Sequence, residues 1–364
     1  MERVSTIIVF PRLRHHLHYC CYILTYHTFI LPHLDTITGK TTCLVFRMWA
    51  QYTQYIDGQH GARPRQLFVT KNDVLCREVK RSFNNMGLAW RKRHDMTSDV
   101  IDDKADAEES RPNFLTSSEW LDALDASLPG QSFFTKVELK QRFDNRKNKD
   151  SVTKGIEALL SEEIEDESTT ASSRQEVTYA VFRKMWRKIK SGSGSQMDCT
   201  MVWREIKSFI KGSVAALHID QQQDDAPKSR FLSLEEYLAL PKKQSRMSEA
   251  QRREVYGLYL NYEKLKKEGS YYDECDLVLN VASRISGVDI NKLAATGGSN
   301  LLPIDSLFVD EVQDFTQAEL FILANLCRDP NNLFLAGDTA QSIAVGVDFR
   351  FSKSRNCVCF RIYM

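Results

Sequence analysis

No stretch of this 364-residue chain holds the roughly 18 consecutive apolar residues that a membrane-spanning helix requires, so a polytopic helical membrane protein is excluded. The apolar run Ile7 to Phe10 is cut by Pro11, Arg12 and Arg14 and is too short for the core of a secretory signal. Paired cysteines are missing as well. The nine cysteines are odd in number and scattered, without C-x-x-C spacing and companion histidines, which points to free thiols in a reducing compartment. Cys357 and Cys359 lack a second pair to complete a tetrahedral metal site. A nuclear or cytoplasmic, non-secreted protein is the expectation. Net charge is nearly absent too: 49 basic against 48 acidic side chains leave +1, so attraction to nucleic acid has to come from local patches. No period of the length that helical repeat arrays need is present.

What is there is ordinary for a folded protein, with 42% apolar and 27% charged residues and length for roughly two to three domains. Residues 1–37 stand apart, holding His15, His16, His18, His27 and His33 among the eight histidines without a repeated spacing; no chemistry is assigned to this leader. From Lys40 to Ile56, apolar residues recur at helical steps, and Gln66 to Thr70 reads as a buried strand followed by a helix from Asp73. Residues 99–112 are acidic and end in Arg111-Pro112, a boundary. From there to about residue 300 the pattern is mostly helical, over Ser118 to Leu128, Lys136 to Phe143, Thr153 to Glu165, Gln175 to Lys190, Met201 to Lys211, Leu234 to Leu240 and Ser248 to Glu268. Strand and helix then alternate again: Ser306 to Val309, Thr316 to Cys327, and Leu333 to Ala336, with Thr316 and Glu319 spaced as a capping box. The expected architecture is α/β, a parallel sheet formed by residues 38–100 and 301–351 and interrupted by a helical insertion over residues 101–300, with a tail at 352–364.

Three segments carry chemistry. Thr38-Gly39-Lys40-Thr41-Thr42 leads into a helix as the second half of a phosphate-binding loop does, where backbone N–H groups surround phosphates, the lysine reaches them and the hydroxyl ligates magnesium. An ordinary helix N-terminus with Thr38 as cap explains the same residues. The full loop pattern would place glycine at position 34, where Leu34 stands, and Ile37 occupies a position that often carries another. A β-branched residue forced to positive φ is strained by roughly 1–3 kcal/mol. Asp310-Glu311-Val312-Gln313-Asp314 follows a short apolar strand, which puts adjacent carboxylates at the C-terminal edge of a parallel sheet. There Asp310 is placed to hold magnesium and Glu311 to polarise an attacking water. By chance D-E-x-Q-D arises in about two of a thousand chains this long; a solvated acidic turn is the bland alternative. Gly337-Asp338-Thr339-Ala340-Gln341-Ser342-Ile343 repeats the strand-then-turn geometry, with Gln341 placed to sense a γ-phosphate. The basic run Arg183 to Lys190 interleaves aromatics with cations, as a single-strand path does, and equally as a solvated helix face does.

In this order the three segments resemble motifs I, II and III of the UvrD/Rep-like superfamily 1 helicases. Thr41 to Arg47, Trp203 to Lys207 and Asp310 to Leu320 look most like the UvrD-like domain of large TPR and ankyrin repeat-containing proteins. The resemblance spans about residues 38–351. It implies a RecA-like fold, ATP and Mg2+ as cofactors, and single-stranded DNA or RNA as partner. Thr38, Gly39, Lys40, Thr41 and Thr42 would contact phosphate, Thr41 and Asp310 magnesium, and Arg47 adenine. Glu311 would be the base and Gln341 the γ-phosphate contact, while Thr70 and Asn72 would lie where the family touches single-stranded nucleic acid. Residues 101–300 would be the inserted helical subdomain. Ala344 departs from the family's stacking aromatic. After Phe349-Arg350 only a short tail follows, with no counterpart of the second RecA-like lobe that carries the arginine finger. The expectation is an ATP-binding lobe that is incomplete as a helicase; a non-catalytic, helicase-like scaffold for protein binding is the alternative.

Leu34→Gly combined with Ile37→Gly should tighten Mg·ATP binding, because backbone N–H groups regain the freedom to turn toward phosphate. Equal affinity of the two proteins in a calorimetric titration would overturn it.

Overall fold

The computed structural model describes residues 39–56, 64–93, 112–144, 174–217, 231–241, 245, 247–285, 288, 302 and 304–337, and the backbone of Thr6–Val9. Among the described residues the strands are β1 (Thr6–Val9), β2 (Gln66–Thr70), β3 (Asn113–Thr116), β4 (Gln175–Glu176), β5 (Tyr271–Tyr272), β6 (Ser306–Val309) and β7 (Leu333–Gly337). The helices are α1 (Gly39–Ile56), α2 (Asp73–Arg93), α3 (Ser117–Ser127), α4 (Lys136–Asp144), α5 (Tyr179–Lys190), α6 (Cys199–Glu205), α7 (Leu234–Ala239), α8 (Glu249–Glu268), α9 (Glu274–Ile285) and α10 (Gln317–Leu326).

The main sheet has the order β1-β7-β6-β2-β3. Strands β7, β6, β2 and β3 run parallel, and β1 pairs antiparallel with β7. A four-stranded parallel unit buries both faces, so its strands read as unbroken apolar runs. The period of two then sorts side chains onto the two faces. Register aligns Phe114, Phe68, Phe308 and Phe334 in one row across four strands. Phe308 and Phe334 stack with centroids 4.9 Å apart, and Phe68 lies 6.0 Å from Phe114. This row packs against Leu44, Val45 and Met48 of α1 and Val79 and Phe83 of α2. The alternating residues Leu67, Val69, Leu307, Val309, Leu333 and Leu335 face the other way, into a core shared with α3, α9 and α10. Helices on both faces of a parallel sheet make the α/β class expected from the sequence.

Local signals start the helices that carry the edge. Asn72 caps α2, its Oδ1 accepting from Leu75 N at 3.1 Å, and Arg91, Lys92 and Arg93 fill the last turn, where cations favour the helix dipole. The box read from Thr316 and Glu319 forms as expected: Thr316 N donates to Glu319 Oε2 at 2.8 Å and Glu319 N to Thr316 Oγ1 at 3.3 Å. Thr116 and Glu119 repeat it, so β3 turns into α3 without a loop.

The stretch expected to be a helical insertion departs from that reading in particular places. Asn113–Thr116 is a strand of the main sheet, because Pro112 breaks any helix and the next four residues pair with β2. The helix expected from Gln175 begins only at Tyr179, capped by Thr178, since Gln175 and Glu176 pair with Tyr271 and Tyr272. The helix Glu274–Ile285 went unread, and the helix expected over Thr153 to Glu165 lies outside the described residues. The one expected from Met201 to Lys211 changes into a π turn over Ile206–Ile210, with Lys211 N donating to Ile206 O at 2.9 Å. These helices form a second core around Phe182, Trp203 and Tyr262.

The π turn leads to Gly212, which rests on the start of α10. Ala318 N donates to Gly212 O at 3.0 Å, and a Cβ on Gly212 would stand 3.0 Å from Thr316 Cβ and 2.1 Å from Lys207 O. Partly buried ion pairs reinforce the join. Lys71, just past β2, pairs with Glu274 at 2.5 Å and with Glu319, and Glu274 also holds Lys207 at 3.0 Å. Burial pulls against the charge of Lys71, but Glu274 and Glu319 more than offset it and hold the ammonium above its ordinary range. A second network sets Lys211 and Lys266 among Glu263, Asp273 and Asp276. These three carboxylates are close enough to hold a metal ion, yet two ammonium groups already occupy that role.

The phenylalanine row sets a stability prediction. Phe308→Ala should cost about 3–5 kcal/mol in chemical denaturation, as for a fully buried aromatic, and Leu260→Ala no more than about 0.5 kcal/mol, since Phe308 is 0% and Leu260 54% exposed. Similar losses at both would refute the two-faced core.

Candidate nucleotide site at the sheet edge

The C-terminal edge of β6 and the N-terminus of α1 meet. Asp310 follows β6 directly, its N–H donating to Val69 O at 3.0 Å and so extending the ladder with β2 by one bond. Thr41, in the first turn of α1, donates from its hydroxyl to Asp310 Oδ2 at 2.5 Å, across 269 residues of chain. Both side chains are 1% exposed. Glu311 N donates to the other carboxylate oxygen, Asp310 Oδ1, at 2.9 Å. Burial pushes the Asp310 carboxyl up to about 6, with the Thr41 and Glu311 hydrogen bonds and the charge of Lys40 acting against that rise and the Glu311 charge adding to it. Lys40 is itself buried, at 9% exposure. Next to it, a Cβ added to Gly39 would meet no atom of the described residues within 4 Å.

Glu311 takes a left-handed backbone, φ 51° and ψ 45°, which costs a non-glycine residue on the order of 1–2 kcal/mol. Such outliers concentrate where function holds them. The turn Val312–Asp314 follows, closed by Asp314 N donating to Glu311 O at 2.9 Å and Phe315 N to Val312 O at 3.2 Å. Gln313 is 1% exposed, and its amide donates to Glu311 Oε2. Strand β7 ends beside this turn. A Cβ on Gly337 would lie 2.5 Å from Gln313 Oε1 and 2.6 Å from Val312 Cγ1, so only glycine fits.

Motifs I and II are thus brought together, and the first residue of motif III touches motif II. Thr42 is half-buried on α1. Arg47, expected to reach adenine, instead holds its guanidinium 5.1 Å from the Phe334 ring centroid, and it would have to leave that ring to stack elsewhere. Thr70 is 0% exposed, so its side chain faces the protein and not a nucleic acid; its position at the end of a strand buried on both faces explains why. Asn72 is exposed while capping α2. Thr38 and Gln341, with Leu34, Ile37 and Ala344, lie outside the described residues. From the sequence Glu319 reads only as a capping residue and Gly337 only as the start of the third motif, and Lys71 has no role, since the partners of all three lie on other elements. The cavity of about 140 Å3 that opens among Glu176, Tyr179, Trp203, Lys207 and Glu274 contains none of the motif residues.

The donor set suits a hard dication. A carboxylate and a hydroxyl stand side by side, and a buried anion whose protonation is favoured would be relieved by positive charge. A parallel sheet whose edge joins a G-K-T helix start to adjacent carboxylates defines a RecA-like, P-loop ATP-binding lobe. The model of the UvrD/REP helicase N-terminal domain matches residues 38–358, and the chain belongs to that family. It is also similar to human TPR and ankyrin repeat-containing protein 1, 36% identical over 313 residues, which is 80% of this chain and 10% of that protein. The chain therefore spans about a tenth of the length of this curated relative. Among the described residues no helix is long and apolar enough to cross a membrane, and Cys43, Cys76, Cys199, Cys275 and Cys327 are free thiols.

The carboxyl of Asp310 makes the fold pH-sensitive in metal-free solution. A pKa raised by folding adds stability that is complete below the ordinary carboxylate value, 3.8, and is lost as pH climbs through about 6. Asp310→Asn should therefore gain on the native protein between about pH 4 and 6, reaching roughly 2–3 kcal/mol and staying level above. A gain in unfolding free energy that is flat from pH 4 to 8 would contradict this.

Proposed function

We propose that the chain binds Mg·ATP at this edge and is the ATP-binding lobe of a UvrD-like helicase motor that works on single-stranded DNA or RNA. The observation that carries the reading is the direct Thr41–Asp310 hydrogen bond, which joins motif I to motif II as a shared magnesium site requires. In this reading Thr38 to Thr42 surround the phosphates at the start of α1, and Lys40 offsets their charge. Thr41 and Asp310 would hold Mg2+, which when bound neutralises phosphate oxygens and orients them. Glu311 takes the proton of the attacking water, and Gln341 reports on the γ-phosphate through a neutral hydrogen bond. Arg47 turns from Phe334 to the adenine. Asn72, at the exposed end of β2, is the nearer candidate for a nucleic-acid contact.

Hydrolysis fast enough to drive unwinding needs charge supplied from across the nucleotide, where an arginine of a second RecA-like lobe is worth about 10³ to 10⁵ in rate in related NTPases. That second lobe is the partner this reading requires, and the residues described here bind and position without unwinding duplex by themselves. The helices of the second core, between Tyr179 and Glu268, act in it as the inserted subdomain, while Asn113–Thr116 stays with the main sheet. Titration with Mg·ATP tests the proposal. Lys40→Ala should weaken binding by roughly tenfold or more, while Glu311→Gln should leave it within about threefold. Undetectable binding, or binding indifferent to Lys40, would remove the nucleotide from the account.

A further inference from the structure

Gln313 belongs to motif II but has no role in the scheme above. Its side chain is enclosed at the sheet edge, 1% exposed, and is used at both ends. The Nε2 group donates to Glu311 Oε2, and among the described residues this is the hydrogen bond that the Glu311 carboxylate receives. The Oε1 group lies against Gly337 at the end of β7, so close that a Cβ there would stand 2.5 Å away. Two motif residues that look independent in the sequence, the glutamine of D-E-x-Q-D and the glycine of G-D-x-x-Q-S, therefore share one small space.

The backbone of Glu311 is already determined. Its left-handed φ is pinned by the Asp310 carboxylate on its N–H and by Asp314 N on its carbonyl. The side chain is a different matter, because a half-exposed glutamate keeps three rotatable bonds. A fixed amide two residues on removes that freedom. The amide in turn stays fixed because β7 gives it a wall without a side chain.

We propose that Gln313 is a positioning residue that aims the Glu311 carboxylate at the nucleotide edge, and that Gly337 is glycine in order to leave room for the Gln313 amide. The proposal rests on the reading of Glu311 as the base of ATP hydrolysis. A purely packing role for Gln313 makes a different forecast, since Gln313→Met keeps the length and volume of the side chain and removes only its hydrogen bonds.

The test uses the full chain in excess over Mg·ATP, so that a slow single turnover is read directly, alongside the affinity for a fluorescent ATP analogue. Wild type, Glu311→Gln, Gln313→Met, Gly337→Ala and the double variant Glu311→Gln/Gln313→Met are compared. Gln313→Met should lower the single-turnover rate roughly 10- to 100-fold while affinity stays within about threefold. In the Glu311→Gln background the same change should cost nothing further, because a residue that acts through Glu311 has nothing left to aim. Gly337→Ala should follow Gln313→Met; should it fail to fold, Gln313→Met decides alone, with its thermal midpoint showing that it is native. A wild-type rate in Gln313→Met, or an equal loss in both backgrounds, overturns the proposal and leaves the nucleotide reading standing. A Glu311→Gln protein as fast as wild type sinks the base assignment and the proposal with it, and wild type that binds no Mg·ATP sinks the nucleotide reading first.

Discussion

Pairing of β6 between β2 and β7 is the constraint on which the rest depends. Residues 66–70 and 306–309 are remote in sequence, and a stretch with its own aromatic core separates them. Only their parallel register, Val69 beside Val309, sets Asp310 at the edge one step past the sheet. From that placement follow the Thr41 hydrogen bond, the left-handed Glu311 and the seat of Gln313. A shift of one residue would turn every side chain of β6 to the opposite face, and the row of four phenylalanines makes that shift costly on both faces at once.

Charge at the edge is handled in two different ways. Around Lys71, Glu274 and Lys207, burial is compensated by opposite charges within the protein, so these three groups stay ionised and, with Glu319 as a further partner of Lys71, weld the sheet to the insertion. At Asp310 compensation is incomplete. Neutral hydrogen bonds and a nearby lysine leave its carboxyl raised to about 6, a cost that a bound cation would remove. Completed ion pairs therefore serve the fold, and the incomplete one lies where the proposed Mg2+ would bind.

The inserted stretch is no loose appendage on the sheet. Gly212 lies on the N-terminus of α10, and the capping glutamate Glu319 also takes the Lys71 ammonium and the Ser117 hydroxyl. The helix that follows motif II is thus held at its first turn by groups from β2, α3 and the π turn. Motion of the insertion would be felt at the start of α10, seven residues after Asp310. This gives a physical route between the two parts.

Much of this was legible in the residues themselves. Apolar runs marked β2, β6 and β7, the last two ending at a carboxylate and a glycine, the spacing of Thr316 and Glu319 marked the start of α10, and the order of three motifs marked the family; each is a local pattern that a few neighbouring residues determine. Other features had no local signature. The short strand β3 owes its existence to β2, the π turn at Ile206–Ile210 to the packing on either side of it, and the charge networks to partners on other elements. The burial of Thr70 and the turn of Arg47 onto Phe334 followed from which face each residue occupies. Gly337 illustrates the division most clearly: sequence alone showed a glycine at the end of a strand, and only the fold, by bringing β7 beside the turn after Glu311, supplied the side chain that leaves it no room for a Cβ.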